Sequence, residues 1–275
     1  MRRILLTNDD GIRAAGLLSL REALLELPDV DVEVIAPDSD RSAIARSITL
    51  GRPIALSEVT FSDGRVGYAT DGTPVDCVRF AALGLITGFK ADLVVAGINH
   101  GLNVGDDITY SGTVAAAWEG SVLGLPSIAV SQHVLPDRAS LDDGSAFRDA
   151  AQFVARLVAE LDEEALPPDT VLNINVPAGE IAGIQVTHLG KQVYLDRLTL
   201  VNEASNRKGY LMYGETELSN DPETDLAAVA SGHVSVTPLR FNLTDGPRVG
   251  ALRTLELERL LTPSARQSAD ELSGG

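Results

Sequence analysis

The first two thirds of the chain alternate short apolar runs with stretches whose apolar residues recur at helical spacing. Continuous apolar runs that stop at turn residues are typical of buried strands in a parallel sheet. The pattern predicts a strand that begins at residue 4, where ILL is followed by polar residues, and further strands over 32–36, 92–98, 127–131 and 171–176.

Helices are predicted between these strands. Leu17, Leu20, Leu24 and Leu27 are spaced as on one face of a helix over 16–27. Further helices are predicted over 74–87, 114–124 and 145–161. Strands that alternate with helices predict an α/β fold with a doubly wound, mostly parallel sheet over about residues 1–180.

Two segments depart from this alternation. Short apolar stretches on both sides of 62–64 predict a β-hairpin over 52–71 that projects from the sheet. Beyond residue 180 the pattern is β-rich, with strands expected over 184–189 and 193–201, a polar, glycine-bearing excursion over 202–221, a short helix over 225–231, a strand over 233–238 and a helix over 249–261. The tail over 262–275 is expected to be disordered.

The excursion and its neighbouring strands form a thin projection. Such a segment cannot bury a core of its own, so we expect it to pack on a neighbouring copy of the chain. A homo-oligomer built through the C-terminal extension, 181–261, is therefore the default expectation.

Composition narrows the expected partners and compartment. The 275 residues carry 39 Asp and Glu against 22 Lys and Arg, a formal charge of −17, which argues against binding to nucleic acid polymers or anionic membranes. The single cysteine, Cys77, excludes an internal disulfide and a thiolate zinc cluster. A strand is expected within a few residues of Met1 and no apolar run approaches ~20 residues, so we expect no signal peptide, no membrane span and a cytoplasmic location.

The first strand ends in a pair of adjacent acids, Asp9 and Asp10, followed by Gly11. Open α/β sheets bind ligands at this end of their strands. Neighbouring strand residues point to opposite faces, so the two carboxylates converge only if the backbone turns, which Gly11 permits. Two carboxylates held together repel each other, and a hard divalent cation relieves the repulsion. By itself, the pair is explained equally well by a solvated acidic turn or a helix cap.

Two further strand ends carry oxygen donors. After the second predicted strand, Ser42 supplies a hydroxyl and Arg41 a partner for a phosphate or carboxylate, although a plain turn explains that loop in isolation. Asn99 follows the strand over 92–98, and its amide oxygen suits a hard cation. Because consecutive parallel strands end on the same edge of a sheet, we expect these side chains to lie near the acidic pair.

A loop rich in glycine and asparagine leads from Asn99 into the next helix. Its glycines indicate a backbone shaped for close approach to a ligand. Ser111, Gly112 and Thr113 open the helix, whose N-terminal N–H groups and positive dipole end offer a cradle for phosphate. N-capping by Ser111 or Thr113 explains the same residues, and the preceding loop favours phosphate.

Together, the strand ends predict a cation with mixed oxygen ligands beside a phosphate. This combination indicates hydrolysis, in which the metal polarises a phosphoryl oxygen and activates a bound water. The chain contains neither the GxxxxGK[ST] of a P-loop nor the GxGxxG of a dinucleotide fold. Aspartyl-nucleophile phosphatases typically carry DxD at the end of the first strand, whereas the two acids here are adjacent. A receiver-type switch needs a phosphoacceptor aspartate at the end of the third strand, where this chain has Asn99. A module that senses a nucleotide without hydrolysing it is the alternative.

Five motifs carry a family resemblance. They are NDDG at 8–11, APDxxRS at 36–42, GTPxDCV at 72–78, GIN followed by GxNxGDDIxYSGTVAAA at 97–117, and VSVTPL at 234–239. This set resembles the SurE family of survival-protein phosphatases, also called 5'-nucleotidase SurE. The match runs from Arg3 to about Leu243, and the motif at 97–117 is long and specific.

The resemblance implies a Rossmann-like catalytic domain over 1–180 and a divalent-metal phosphatase for nucleoside 5'-monophosphates, with 3'-nucleotides and polyphosphate as further substrates. It implies one Mg²⁺ or Mn²⁺ per subunit, a cytoplasmic setting, and dimers or tetramers built through 181–261. The implied metal ligands are Asp9, Asp10, Ser42 and Asn99. The implied phosphate-binding residues are Asn103, Ser111, Gly112 and Thr113. With Asp9 and Asp10 as the catalytic residues, we expect direct attack of water on phosphorus and Asp9 as the base.

Three segments depart from the family pattern. Ala43 replaces the glycine of the usual RSG, residues 13–16 read RAAG where HAPG is usual, and Glu223 replaces the glycine of GTD. The expected metal ligands are intact, and the changes bear on loop rigidity and substrate selection.

Overall fold

The computed structural model describes residues 1–134, 144–162, 166–204, 207–218, 221–255 and 257. Its strands are β1 (Arg2–Thr7), β2 (Val30–Pro37), β3 (Leu56–Thr60), β4 (Val66–Thr70), β5 (Leu93–His100), β6 (Ser127–Gln132), β7 (Thr170–Val176), β8 (Gly183–Val186), β9 (Gln192–Ala204), β10 (Arg207–Leu218) and β11 (His233–Arg240). Its α-helices are α1 (Ala15–Leu25), α2 (Pro74–Ala82), α3 (Gly112–Val122), α4 (Arg148–Glu160), α5 (Asp225–Ala230) and α6 (Gly246–Arg253). Within these residues, nine strands form one sheet in the order β3-β4-β2-β1-β5-β6-β7-β11-β8, and β9 and β10 form a separate sheet.

The centre of the large sheet is parallel, as the apolar runs predicted. The strands from β4 to β7 in the sheet order pair in parallel, so their carboxyl ends lie along one edge. Along β1, Ile4 and Leu6 pack into a core with α1 and α4, whereas Leu5 packs into a second core with α2 and α3. A strand buried on both faces needs apolar residues throughout, which explains the continuous runs. The predicted α/β doubly wound fold is confirmed.

The hairpin predicted over 52–71 is part of the sheet, so the expectation of a projection is wrong. β3 pairs antiparallel with β4, and β4 pairs parallel with β2 through Ile35 and Tyr68. Val59 and Ala69 are buried in the core shared with α1 and α4. Joining the edge of the sheet removes this apolar surface from water, which a free projection would leave exposed.

The predicted helices are present, with shifted ends. α2 begins with the predicted cap, because Thr73 Oγ1 accepts the Asp76 N–H at 3.1 Å and the Asp76 carboxylate accepts the Thr73 N–H at 2.9 Å. It ends at Ala82 rather than at 87, and Gly84 follows with a left-handed φ of 83° that closes the helix. A 3₁₀ turn over Ser145–Phe147 precedes α4. None of the helices in the described part of the chain is long and apolar enough to cross a membrane.

The residues beyond 180 extend the large sheet and add a long hairpin. β11 pairs antiparallel with β7 and parallel with β8. β9 and β10 pair antiparallel along their length, so the polar excursion predicted over 202–221 is mainly the second strand of this hairpin. α5 and β11 occupy the segments predicted as a short helix and a strand.

Met1–Phe241 form one compact unit, and a second begins at Asn242. In the second unit, Asp245 accepts the Arg248 N–H at 3.0 Å and so caps α6. Residues 256 and 258–261 of the helix predicted over 249–261, and the tail over 262–275, lie outside the described residues. The division of the chain at residues 180 and 261 into catalytic and assembly parts stays a prediction.

The loop between β2 and β3 contains two alanines in a left-handed conformation. Ala43 has a φ of 57° and Ala45 a φ of 55°. For an L-residue this region costs roughly 1–2 kcal/mol, whereas glycine adopts it freely. The glycine of the usual RSG pattern therefore meets a backbone requirement that Ala43 meets only with strain.

We expect Ala43→Gly to stabilise the protein by up to about 1 kcal/mol, because the relief of left-handed strain exceeds the entropy that glycine adds to the unfolded chain. The free energy of unfolding in urea measures the change. Ala82→Gly is the matched control, since Ala82 is exposed in the last turn of α2 and the same substitution there should cost about 0.5–1 kcal/mol. An equal loss of stability in both variants would contradict the expectation.

Candidate metal and phosphate site

The turn after β1 places two acids side by side. Asn8 is fully buried, its Nδ2 donates to the Gly11 carbonyl at 2.9 Å, and its Oδ1 accepts the Gly11 N–H at 3.2 Å. Gly11 has a φ of 107°, which other residues rarely adopt. The tight turn takes Asp9 and Asp10 out of the regular alternation of the strand, as the sequence predicted.

Asp9 lies between the loop after β2 and the start of α3, and it is 3% exposed. One of its carboxylate oxygens accepts a hydrogen bond from the Thr113 hydroxyl. Its main-chain oxygen accepts the Arg41 N–H at 2.7 Å. A Cβ atom on Gly112 would lie 2.8 Å from Cβ and Oδ2 of Asp9, so glycine is required where α3 approaches this carboxylate.

Asp10 faces the end of β5, where its Oδ2 accepts the His100 N–H at 3.3 Å. Burial, followed by the charge of Asp9, raises the pKa of Asp10 to about 7. Burial also raises the pKa of Asp9, and the charge of Asp40 raises both values further. The ionised pair is therefore unfavourable alone, and a bound cation would offset both the burial and the repulsion.

Ser42 lies in the loop after β2, the strand next to β1. Its hydroxyl donates to Asp40 Oδ1 at 2.6 Å, and the same oxygen accepts the Ser42 N–H at 2.7 Å. Because the hydroxyl proton is used on Asp40, the lone pairs of Ser42 Oγ remain available to a cation. Arg41 pairs with the carboxylate of Asp38 at 3.1 Å. The sequence reasoning missed Asp40, for which the only signal was an acid two residues before Ser42.

Asn99 lies near the end of β5, on the other side of β1. It pairs with Ser131 of β6, after a register shift in the ladder between Ala96 and Asn99. Its Nδ2 donates to the Gly101 carbonyl at 2.9 Å, which leaves the amide oxygen available as a ligand.

The donors at this edge fit a hard cation, because they are carboxylate, hydroxyl and amide oxygens. In the ranges that the structure describes, no group of three or more His, Cys, Asp and Glu side chains is arranged to hold a metal ion, so a site here depends on the mixed set. Asp9, Asp10, Ser42 and Asn99 lie at the ends of three adjacent strands. Their roles as ligands stay a prediction.

The residues predicted to bind phosphate lie at the same edge. Ser111 caps α3, since its Oγ accepts the Val114 N–H at 3.1 Å. Thr113 donates to Asp9 instead, a contact that the sequence did not reveal. Asn103 is buried, and its Nδ2 donates to Ser131 Oγ at 2.7 Å. Contacts of these residues with a phosphate stay a prediction.

Two arginines that pair with one buried carboxylate anchor the loop that carries Ser42. The Glu119 side chain of α3 is 2% exposed, and its two oxygens lie 2.5 Å from Arg46 Nη2 and 2.7 Å from Arg79 Nε. Arg46 belongs to the loop and Arg79 to α2, so one carboxylate joins three parts of the fold. The guanidinium of Arg46 also lies 4.6 Å from the centre of the Phe241 ring.

The fold and the site define a Rossmann-like α/β protein with an acidic, oxygen-donor site beside a helix N-terminus at the carboxyl edge of its sheet. Residues 4–196 match the family model described as Survival protein SurE. The chain belongs to the SurE family, which confirms the resemblance found in its motifs.

Similar proteins cover nearly the whole chain. A protein of Rubrobacter xylanophilus named 5'-nucleotidase SurE is 47% identical, over 94% of this chain and 99% of its own length. A protein of Desulforudis audaxviator with the same name is 43% identical, over 91% and 96%. The crystal structure of the SurE protein from Aquifex aeolicus superimposes with a TM-score of 0.78 at 37% identity, and the match covers 92% of this chain and 99% of that one.

The contact between Thr113 and Asp9 leads to a stability prediction. We expect Thr113→Val to lower the free energy of unfolding by about 1.5–3 kcal/mol, because valine keeps the volume but cannot donate to the buried carboxylate. Urea unfolding at pH 8 with a chelator present measures this loss without a contribution from a cation. Thr113→Ser keeps the hydroxyl and should lose less. A valine variant as stable as the parent protein would refute the importance of this hydrogen bond.

Proposed function

We propose that this protein is a metal-dependent 5'-nucleotidase that hydrolyses nucleoside 5'-monophosphates to a nucleoside and inorganic phosphate. Its relatives are named for the 5'-nucleotidase activity. The observation that carries the proposal is the position of Asp9, a buried carboxylate that is bonded to Thr113 and lies against Gly112 at the start of α3. This arrangement puts an acid that attracts cations beside N–H groups that attract phosphate.

Asp9, Asp10, Ser42 and Asn99 would hold one divalent cation per subunit, Mg²⁺ or Mn²⁺. Such a cation, when bound, polarises a phosphoryl oxygen and makes a water molecule more acidic. The two carboxylates contribute the negative charge, and the neutral hydroxyl and amide complete the donor set without adding to the repulsion between the acids.

The phosphate would lie against the first turn of α3. The N–H groups of Gly112 and Thr113 precede the first main-chain bond of the helix, from the Ala115 N–H to the Ser111 carbonyl, so they point out of the helix end, where that of Thr113 also faces the Asp9 carboxylate. Asn103 would add its side-chain amide from the preceding loop. These N–H donors are neutral. They can bind a phosphate dianion, and they carry no full positive charge that would compete with the metal cation for Asp9.

The reaction needs an in-line attack of water on phosphorus. One bond forms between the water oxygen and phosphorus, the ester P–O bond breaks, and the leaving nucleoside oxygen takes up a proton from solvent, to which the base returns the proton that it removed from the attacking water. Asp9 is the proposed base. The Thr113 hydroxyl holds one of its oxygens in place, so the proton is proposed to move to the other.

Phosphate release from AMP, GMP, CMP and UMP, with Mg²⁺ or Mn²⁺ and with excess chelator, tests the proposal. We expect release that chelator abolishes and that Asp9→Asn reduces to the level measured without enzyme. Asp38→Asn is the matched control, because Asp38 is an exposed acid on the same edge whose partner is Arg41, and it should retain activity. Release that persists in chelator or in Asp9→Asn would reject the metal mechanism, and binding without release would favour the nucleotide-sensing alternative.

The panel also includes the 3'-nucleotides and polyphosphate that the family resemblance implies. We expect slower release from polyphosphate, since the proposed site is built around one phosphate monoester. The cytoplasmic location expected from the sequence stays a prediction.

We further propose that copies of the chain associate through the β9–β10 hairpin. Leu198 and Met212 face each other across its two strands, and they are 68% and 72% exposed. Leu200 and Tyr210 form the next pair, and they are also about half exposed. An apolar surface of this kind is typical of a contact between subunits.

The double variant Leu198→Glu, Met212→Glu should shift the protein from an oligomer to a monomer, because the repeated charge opposes burial of this surface. Light scattering after size-exclusion chromatography measures the mass. Ser57→Glu, on the exposed edge strand β3, adds charge outside the hairpin and should leave the mass unchanged. A monomeric parent protein, or an unchanged mass in the double variant, would reject the proposed interface.

A further inference from the structure

The loop that carries Asn103 is fixed by buried side chains of β7. Asn175 Oδ1 accepts the Asn103 N–H at 2.8 Å, and Asn175 Nδ2 donates to the Asn103 carbonyl at 2.9 Å. Asn173 Nδ2 donates to the same carbonyl at 2.8 Å. Asn173 and Asn175 are fully buried and Asn103 is 7% exposed. Both main-chain polar groups of Asn103 are therefore held by side chains rather than by secondary structure.

The same loop has a second anchor at Gly105, two residues after Asn103. This anchor is Asp225, at the start of α5. Asp225 Oδ2 accepts the Gly105 N–H at 2.8 Å. Its Oδ1 accepts the N–H of Gly190 at 2.8 Å and that of Leu226 at 2.9 Å. Asp225 is fully buried, and it lies beyond residues 4–196 that match the family model.

The contacts leave little freedom around Asn103. Gly105 has a φ of 54°, and a Cβ atom there would lie 2.8 Å from the Gly190 carbonyl oxygen. Upstream, the Gly101 N–H donates to the Gln132 carbonyl at 2.9 Å. The side chain of Asn103 is itself directed by Ser131 Oγ. The loop is therefore fixed on both sides of Asn103, the residue of this loop that is proposed to reach the phosphate.

We infer that Asn173, Asn175 and Asp225 are positioning residues, which set the place of Asn103 against the phosphate of the substrate. The inference rests on the proposed function. None of the three side chains is exposed, so they act through the loop and do not touch the substrate. Because Asp225 belongs to the C-terminal extension, that segment has a part in the chemistry of each subunit as well as in assembly.

The alternative is that these side chains only stabilise the fold, because a buried N–H or carbonyl left without a partner is costly anywhere. The two roles predict different measurements. A purely structural role changes stability alone, whereas a positioning role changes phosphate affinity and turnover in protein that is still folded. The main chain of Asn99 is held in the ladder with β6, and its side chain is held by Gly101, which β6 also fixes through Gln132, so metal affinity should be preserved in either case.

The test compares Asn175→Ala and Asp225→Asn with Thr237→Val in the full-length protein. Thr237 is buried on β11, where it faces Asn173 in the sheet register and shares a hydrogen bond with Thr187. Thr237→Val therefore removes a buried polar contact of the same region without touching the loop. Urea unfolding first establishes that each variant is folded under assay conditions.

For Asn175→Ala we expect kcat/KM for AMP to fall by about 100-fold, the usual effect of misplacing a substrate-binding group by about 1 Å. Asp225→Asn should also lower kcat/KM for AMP. Titration of the Mn²⁺-loaded protein with inorganic phosphate should show a parallel loss of affinity, while Mn²⁺ binding in both variants stays close to that of the parent. Thr237→Val should keep both phosphate affinity and turnover.

If Asn175→Ala matches Thr237→Val in phosphate affinity and kcat/KM, or if it loses Mn²⁺ binding in proportion, the positioning role is wrong. The titration with inorganic phosphate separates this result from a failure of the proposed function. A parent protein that releases no phosphate from any nucleotide would reject the nucleotidase, whereas weaker phosphate binding in Asn175→Ala alone would still support the role of the loop.

Discussion

The site depends on one electrostatic constraint, a buried carboxylate beside a half-buried one at the end of a strand. Asp9 and Asp10 repel each other, and their ionised forms are disfavoured by burial. The contacts around them come from dipoles: the hydroxyl of Thr113 on Asp9 and the main-chain N–H of His100 on Asp10. Dipoles orient the acids without neutralising them, so the pair keeps its attraction for a cation.

This arrangement requires backbones to approach side chains closely, and glycine is present where they do. Gly112 lets the start of α3 reach Asp9. Gly16 permits a similar close approach from the helix layer on the opposite face of the sheet. A Cβ atom at this position would lie 2.2 Å from the carbonyl oxygen of Ile98, the residue before Asn99. In the RAAG segment the chain has lost the histidine and proline of the usual family pattern but has kept this glycine. The requirement at that position is therefore steric.

The C-terminal part of the chain is coupled to the site because it returns to the same sheet. β11 pairs with β7, the strand that carries Asn173 and Asn175, and α5 presents Asp225 to the loop after β5. A rearrangement of the extension would thus reach the loop proposed to bind phosphate through hydrogen bonds already present in one subunit.

The sequence by itself determined the strand and helix alternation, the turn at Gly11, the cap at Thr73 and the family, because each of these is written in local periodicity or in a contiguous motif. It also located four oxygen-bearing side chains at the strand ends, those of Asp9, Asp10, Ser42 and Asn99. Only the tertiary structure decided that the hairpin over 52–71 joins the sheet, that Thr113 bonds to Asp9, and that side chains of β7 and α5 hold the loop of Asn103. These contacts join residues far apart in the chain, and hydrogen bonds between distant residues depend on how the elements pack, which leaves no periodic signal in the sequence.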